Sequence, residues 1–181
     1  PGAEIDLTID ATALTSENLT LSGDAEVAVD VVSTDVIATN LTGGLDIDSA
    51  AGATYTLTTG SGETRVSGAT GSTVTVAAAN LVSDGTFSGA EADAELIVDG
   101  TGTIVVNNLP VVDVNAFGFS GDSLTINTNA LTGSGTEGSN QPAIEIVTGT
   151  SNTTINGVDS QDEKDIIDIR VDASALAGQV V

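Results

Sequence analysis

The sequence predicts an all-β protein, a β-solenoid of the parallel β-helix kind with short irregular coils, and three observations predict it. Apolar residues alternate with Thr, Asp, Glu or Ser in many short runs, the period-two pattern of a strand with one buried face. The 21 glycines gather with Asn, Asp and Ser between those runs, where tight turns and positive φ are needed. The third observation is a degenerate repeat. "IDLTIDATALTS" from Ile5 and "IDIRVDASALAG" from Ile167 set the same residue types in the same order. "TVTVAAANLVSDG" from Thr73 and "SLTINTNALTGSG" from Ser123 share their plan: alternating apolar residues, Ala or Asn, Leu, then a polar turn.

Taken in order, strands are expected in "EIDLTID", "NLTLSGDAEVAVDV", "GLDIDS", "TYTLTTG", "STVTVAA", "AELIVDGTGTIVVNNL", "SLTINTNAL", "AIEIVTG" and "DIIDIRVDAS". Each keeps Val, Ile, Leu or Tyr on one face and polar residues on the other. The turns "SGD", "TGG", "GSG", "SDG", "DGTG" and "NG" separate them, and Pro110 and Pro142 follow expected strand ends. No segment holds a helical period beyond about two turns, although "DATALTSENL" and "VAAANLVSDG" have room for one short helical turn each. Stacked coils would place Val, Ile, Leu and Ala in inward columns and Thr and Asp in outward ladders. Coils of about 20 to 25 residues give on the order of eight coils, in one extended domain over residues 1–181. An immunoglobulin-type β-sandwich is the alternative, with similar strand and turn spacing. Such a core usually contains a large aromatic, and the candidates here are Tyr55, Phe87, Phe117 and Phe119.

Composition narrows the function. Of 181 residues, 40% are hydrophobic, enough to bury a core. The formal net charge is −23, because 26 acids face only Arg65, Lys164 and Arg170. A charge of this size repels itself in low salt unless cations gather on the surface. Nucleic acid is excluded as a partner, since phosphate binding needs clustered Lys and Arg, and an anionic lipid surface meets the same objection. The chain has no His and no Cys, so it lacks an imidazole base, a thiolate and an ordinary zinc site. A carboxylate pair could still cleave a glycoside, but only Arg65 and Tyr55 are near each other in sequence to hold a sugar, and no enzyme is expected. The opening "PGAEIDLT" has neither a basic region nor an apolar run, so neither a signal peptide nor membrane insertion is expected there. A start at Pro1 reads as a processed or excised segment of a longer extracellular protein.

The acids supply the candidate sites. Parallel stacking sets equivalent residues about 4.8 Å apart, so outward acids such as Asp6 and Asp10, Asp46 and Asp48, or Asp168 and Asp172 are expected to meet like charges, at about 1 kcal/mol per pair in water. Calcium would reverse that sign, taking carboxylate and carbonyl oxygens from Gly/Asp-rich turns. The densest candidate is "NGVDSQDEKDIID", with Asp159, Asp162, Glu163 and Asp165 just before an apolar strand; its plain alternative is a solvated acidic loop. A second group lies in "SDGTFSGAEADAELIVDGTG", with Asp84, Glu91, Asp93, Glu95 and Asp99, and single Ser-Gly-Asp turns end at Asp24 and Asp122. Neither the helix-flanked calcium loop nor the glycine-rich nonapeptide of calcium β-rolls is present.

"ENLTLSGDAEVAVDV" followed by "NLTGGLDIDSAAGATYTLTTG" resembles the repetitive parts of bacterial surface-layer proteins and their RTX-type secreted relatives, and "EKDIIDIRVDASALAG" is similar to an acidic stretch and strand near calcium coils in that group. The resemblance covers about half the chain. It implies a calcium-stabilised, extracellular β-solenoid at the bacterial cell surface that assembles into a coat or filament, with a homo-oligomer or polymer as its state. The runner-up is an adhesin stalk or carbohydrate-binding module on cell-surface polysaccharide. For that reading Thr54, Thr56 and Thr58 alternate along one strand, without a coil-to-coil repetition visible in the sequence.

Overall fold

The computed structural model describes residues 6–83, 95–128, 144–157 and 169–176. Within them the chain forms β1 (Leu7–Asp10), β2 (Leu19–Gly23), β3 (Val27–Val32), β4 (Val36–Leu41), β5 (Leu45–Ser49), β6 (Thr54–Thr58), β7 (Thr64–Gly68) and β8 (Thr73–Ala77). It continues with β9 (Leu96–Gly100), β10 (Thr103–Asn107), β11 (Val114–Asn115), β12 (Ser123–Asn127), β13 (Ile144–Val147), β14 (Thr153–Asn156) and β15 (Ile169–Asp172), with no helix among the described residues. Odd-numbered strands form one sheet of eight in chain order, and even-numbered strands form a second sheet of seven. Every pairing is parallel. This is the expected β-solenoid, and the sandwich alternative fails because its sheets are antiparallel. Uninterrupted coils are mostly shorter than expected: partners lie from 17 residues apart (Leu19 and Val36) to 21 (Val36 and Leu57).

Register explains the core. Leu7, Val27, Leu45, Thr64, Leu96, Val114, Ile146 and Val171 form one column through the odd sheet. Its interior members are at most 4% exposed, whereas its terminal residues, Leu7 and Val171, are 49% and 45% exposed. Facing columns from the even sheet include Leu57, Val76, Val106 and Ile126, all fully buried. Such small aliphatic side chains suit thin stacked layers because each fills its place without displacing the coil above. Phe119 is the largest fully buried side chain. Tyr55 is also buried, and its hydroxyl lies 2.8 Å from the Ser49 hydroxyl; burial pushes the phenol up to about 12, with the Ser49 contact opposing.

The repeated phrase in the sequence proves to be a strand followed by a corner. Leu14 N donates to Ala11 O, Leu81 N to Ala78 O and Leu176 N to Ala173 O, each near 3 Å. The same turn, always starting on alanine, recurs at Ala50, Ala69 and Ala116. It replaces the short helical turns expected at "DATALTSENL" and "VAAANLVSDG". Because β1 and β15 belong to one sheet and β8 to the other, the repeat specifies the corner, not the sheet.

Four strands escape the sequence pattern: β4, β7, β11 and β14. In β7 the inward column position is Thr64, fully buried, whose hydroxyl donates to Gly62 O at 3.3 Å. Elsewhere Thr59, Thr128 and Thr148 are buried and donate both backbone N–H and hydroxyl to a single carbonyl in a neighbouring coil, those of Ala77, Asn156 and Asp172. Hydrogen bonding lets a threonine occupy a core position, and alternation then no longer marks the strand.

One position is strained. Val31 has φ of 59° where β3 bulges against β5, and its side chain is 42% exposed. A β-branched residue is disfavoured there. Val31→Gly is therefore expected to stabilise the protein, by on the order of 1 kcal/mol, as a higher urea midpoint with unchanged slope.

Candidate functional site: a carboxylate ladder and a neutral face

The two sheets differ in charge. The strands of the even sheet contain no charged residue, whereas those of the odd sheet carry Asp10, Asp30, Asp46, Asp48, Arg65, Asp99, Glu145, Arg170 and Asp172. Alternation turns this difference into two unlike outer faces.

On the odd sheet, the residue just before the Leu7–Val171 column is an acid in almost every coil: Asp6, Glu26, Glu63, Glu95, Asp113 and Glu145, with Gly44 in the third coil and Arg170 in the last. Backbone bonds confirm the stacking, since Leu7 N donates to Glu26 O, Val27 N to Gly44 O, Leu45 N to Glu63 O, Thr64 N to Glu95 O and Leu96 N to Asp113 O. Several of these side chains reach the N–H of the next ladder residue. Asp113 N donates to Glu95 Oε2 at 2.8 Å and Glu145 N to Asp113 Oδ1 at 2.7 Å. Glu26 N makes a longer bond, 3.5 Å, to Asp6 Oδ2. These are charge-assisted bonds to groups at the strand start, and they account for the burial of the Glu95 carboxylate, 7% exposed; that of Glu145, 8% exposed, pairs with Arg170. A Cβ at position 44 would lie 3.1 Å from Glu26 Cγ, a tight contact that the glutamate side chain could relieve by shifting.

Arg65 interrupts the acids one rank along. Its Nε lies 2.8 Å from Asp99 Oδ2 in the following coil of that sheet, and its Nη1 lies 3.2 Å from Asp46 Oδ2 in the preceding one. The aspartate pairs expected from sequence are therefore rearranged. Asp46 faces Arg65, Asp48 faces Ser67 and Asp172 faces Val147, whereas Asp10 does meet a like charge, Asp30. Burial holds the Asp46 carboxyl above the ordinary range despite Arg65, which opposes that shift. The arginine's closer partner is Asp99.

Glu63 carries the clearest electrostatic load. Burial first, then the charges of Glu26, Glu95 and Asp46, raise its pKa above 4.5. The residue is nonetheless exposed by surface area, so water screens much of that repulsion. For an acid with a raised folded-state pKa, the cost of ionisation grows as pH rises from the unfolded value through the folded one. Glu63→Gln is therefore expected to raise the melting temperature at pH 7, by the equivalent of about 1 kcal/mol or less. The gain should vanish as pH falls below 4.5.

The other face is a hydroxyl and amide array. Thr54, Thr73, Thr103 and Ser123 stack in one rank, and Thr56, Thr75, Val105, Thr125 and Thr154 in the next. Asn156 Nδ2 donates to Asn127 Oδ1 and Asn127 Nδ2 to Asn107 Oδ1, both at 2.7 Å. The coil-to-coil repetition of threonine that the sequence hides is thus present in the register.

Of the acids named as calcium candidates, Asp24, Glu95, Asp99 and Asp122 lie in the described residues and Glu91 does not; Glu95 accepts from Asp113 N and Asp99 pairs with Arg65, while Asp24 and Asp122 sit in exposed turns, where Asp122 N donates to Gly102 O at 2.6 Å. Asp84, Asp93, Asp159, Asp162, Glu163 and Asp165 lie outside the described residues. Among the described residues no group of three or more acids is arranged to hold a metal ion; the ladder is spread along the stack and engaged with N–H donors and arginine. No helix among them is long and apolar enough to cross a membrane. The chain matches no known protein family, no curated protein and no solved structure.

Proposed function

We propose that this solenoid is a structural, non-enzymatic subunit of an extracellular coat or filament on a bacterial cell surface, stabilised by calcium and assembled from copies of itself. The observation that carries this reading is the exposure of both outermost described strands of one sheet. β1 and β15 are the outer strands of the eight-stranded sheet, and the column they terminate exposes Leu7 and Val171 there. Open strand edges of this kind invite another strand, and stacked repeats need a neighbour or a polar cap at each end. Calcium enters through charge: a net −23, much of it on one face, favours a state in which divalent ions gather there. Asp159, Asp162, Glu163 and Asp165, with Asp84 and Asp93, all outside the described residues, are the candidate ligands.

A second reading, an adhesin stalk or carbohydrate-binding module, is favoured by the threonine and asparagine face, whose strands carry no charge although Asp35 accepts from Thr56 N beside them, and whose hydroxyls and amides match the polar edges of a polysaccharide. Light scattering and electron microscopy in millimolar calcium, then in excess chelator, separate the two. Ordered polymers that chelator disperses support the coat. A chain that stays monomeric in calcium and is retained on a polysaccharide column supports the module. A melting temperature unmoved by calcium removes the ion from either account.

A further inference from the structure

The last residue of the ladder has the wrong sign for it. Asp6, Glu26, Glu63, Glu95, Asp113 and Glu145 are acids, yet Arg170 occupies the same position in β15, in register with Glu145. Its Nη1 lies 3.4 Å from Glu145 Oε1, and its side chain is 59% exposed. Inside the stack the other described arginine shows what a complete arrangement looks like. Arg65 is held between Asp46 of the preceding coil and Asp99 of the following one, at 3.2 and 2.8 Å. Among the described residues Arg170 forms an ion pair with the acid of the preceding coil and has none from a following coil; Asp172 of its own strand is a weaker charge partner. At the opposite end of the same rank stands Asp6, exposed, with Glu26 on its inner side.

The two ends also match in shape. Asp10 Oδ1 accepts from Thr12 N, and Asp172 Oδ1 accepts from Ser174 N, both at 2.9 Å, and each aspartate leads into the same alanine-initiated corner. A strand laid on β15 in the register used throughout the sheet would set an acid beside Arg170 and the residue directly after it over Val171, which is 45% exposed. β1, with Asp6 before Leu7, has that sequence.

Resting on the self-assembly reading above, we propose that β15 of one copy pairs in parallel with β1 of a second copy, so that Arg170 is enclosed between its own Glu145 and the second copy's Asp6 while Val171 and Leu7 cover each other. The contact is head to tail, so it extends into a filament unless the rotation between copies closes a ring. It also explains why one of so few basic residues sits at the end of an acidic rank: with an acid there, two like-charged ends would oppose each other.

Sedimentation velocity of the 181-residue chain at moderate salt tests it. The unmodified protein should form concentration-dependent linear oligomers. R170E and D6R alone should each weaken association at least tenfold while keeping the β-rich circular dichroism spectrum. Mixing the two single variants should restore polymers in which they alternate, because the end of each is compatible with the start of the other, and the double variant R170E/D6R should polymerise again. If R170E or D6R associates as well as the unmodified chain, or the double variant stays monomeric while the unmodified chain polymerises, this junction is wrong and the assembly reading survives. An unmodified chain that is monomeric at every concentration overturns both.

Discussion

Gly60→Ala is expected to cost about 3 kcal/mol or more, at the upper end of what forced overpacking does. A Cβ at that position would lie 2.0 Å from Leu41 O and 2.9 Å from Ala38 O. Both are backbone atoms of the adjoining coil, and Leu41 O already accepts from Ser61 N at 3.0 Å. No rotamer change can relieve such a contact; the coils must separate, breaking the ladder bonds on either side. Gly157 provides the control, because nothing among the described residues lies within 4 Å of its Cβ direction. Gly157→Ala should leave the urea midpoint nearly unchanged, and Gly60→Ala should shift it strongly downward. Equal effects would mean that the close coil approach at Gly60 is absent.

Phe119→Ala is the second large effect, expected at about 3 to 5 kcal/mol. The ring is fully buried in a core otherwise built from Val, Ile, Leu, Ala and Tyr55, and thin layers pinned by hydrogen bonds have little freedom to collapse into the space it leaves. The corner it belongs to is held as well: Phe119 N donates to Ala116 O at 3.0 Å, and Phe119 O accepts from Thr150 N at 3.0 Å. Phe119→Leu retains most of the contact and should lose about 1.5 kcal/mol or less. Chemical denaturation of the two variants gives the ratio. A loss for Phe119→Ala below about 1 kcal/mol would place the ring outside the core.

The fold was legible because alternation in a parallel stack is repeated coil after coil. β6, β8, β10 and β12 each bury two aliphatic or aromatic residues and leave the three alternating ones exposed or half-buried, in the burial order the sequence shows. What the sequence could not display is register. The acids at 26, 63, 95, 113 and 145 are scattered along the chain and fall into one rank only when the coils are stacked, as the threonines of the other face do. Strands with buried threonine, such as β7, were invisible because a hydroxyl bonded within its own turn behaves as an apolar filling. Local acid density, the signal used to choose calcium ligands, pointed instead to segments outside the described residues. Spacing by about one coil was the more informative signal, and it could have been found by aligning every acid that precedes an alternating run.

Everything rests on the parallel, in-register stacking that makes neighbours of distant residues, and an engineered cross-link tests it most directly. Thr75 and Val105 are register partners on the outer face of the even sheet, and the native chain contains no cysteine to interfere. In the folded double variant Thr75→Cys/Val105→Cys, mild oxidation should consume both thiols into one intramolecular disulfide, since adjoining strands bring the two Cα atoms within bonding range. Peptide mass mapping should find that link, and the melting temperature should rise. Thiols that remain free in the native state and pair only after denaturation would contradict the stacked arrangement.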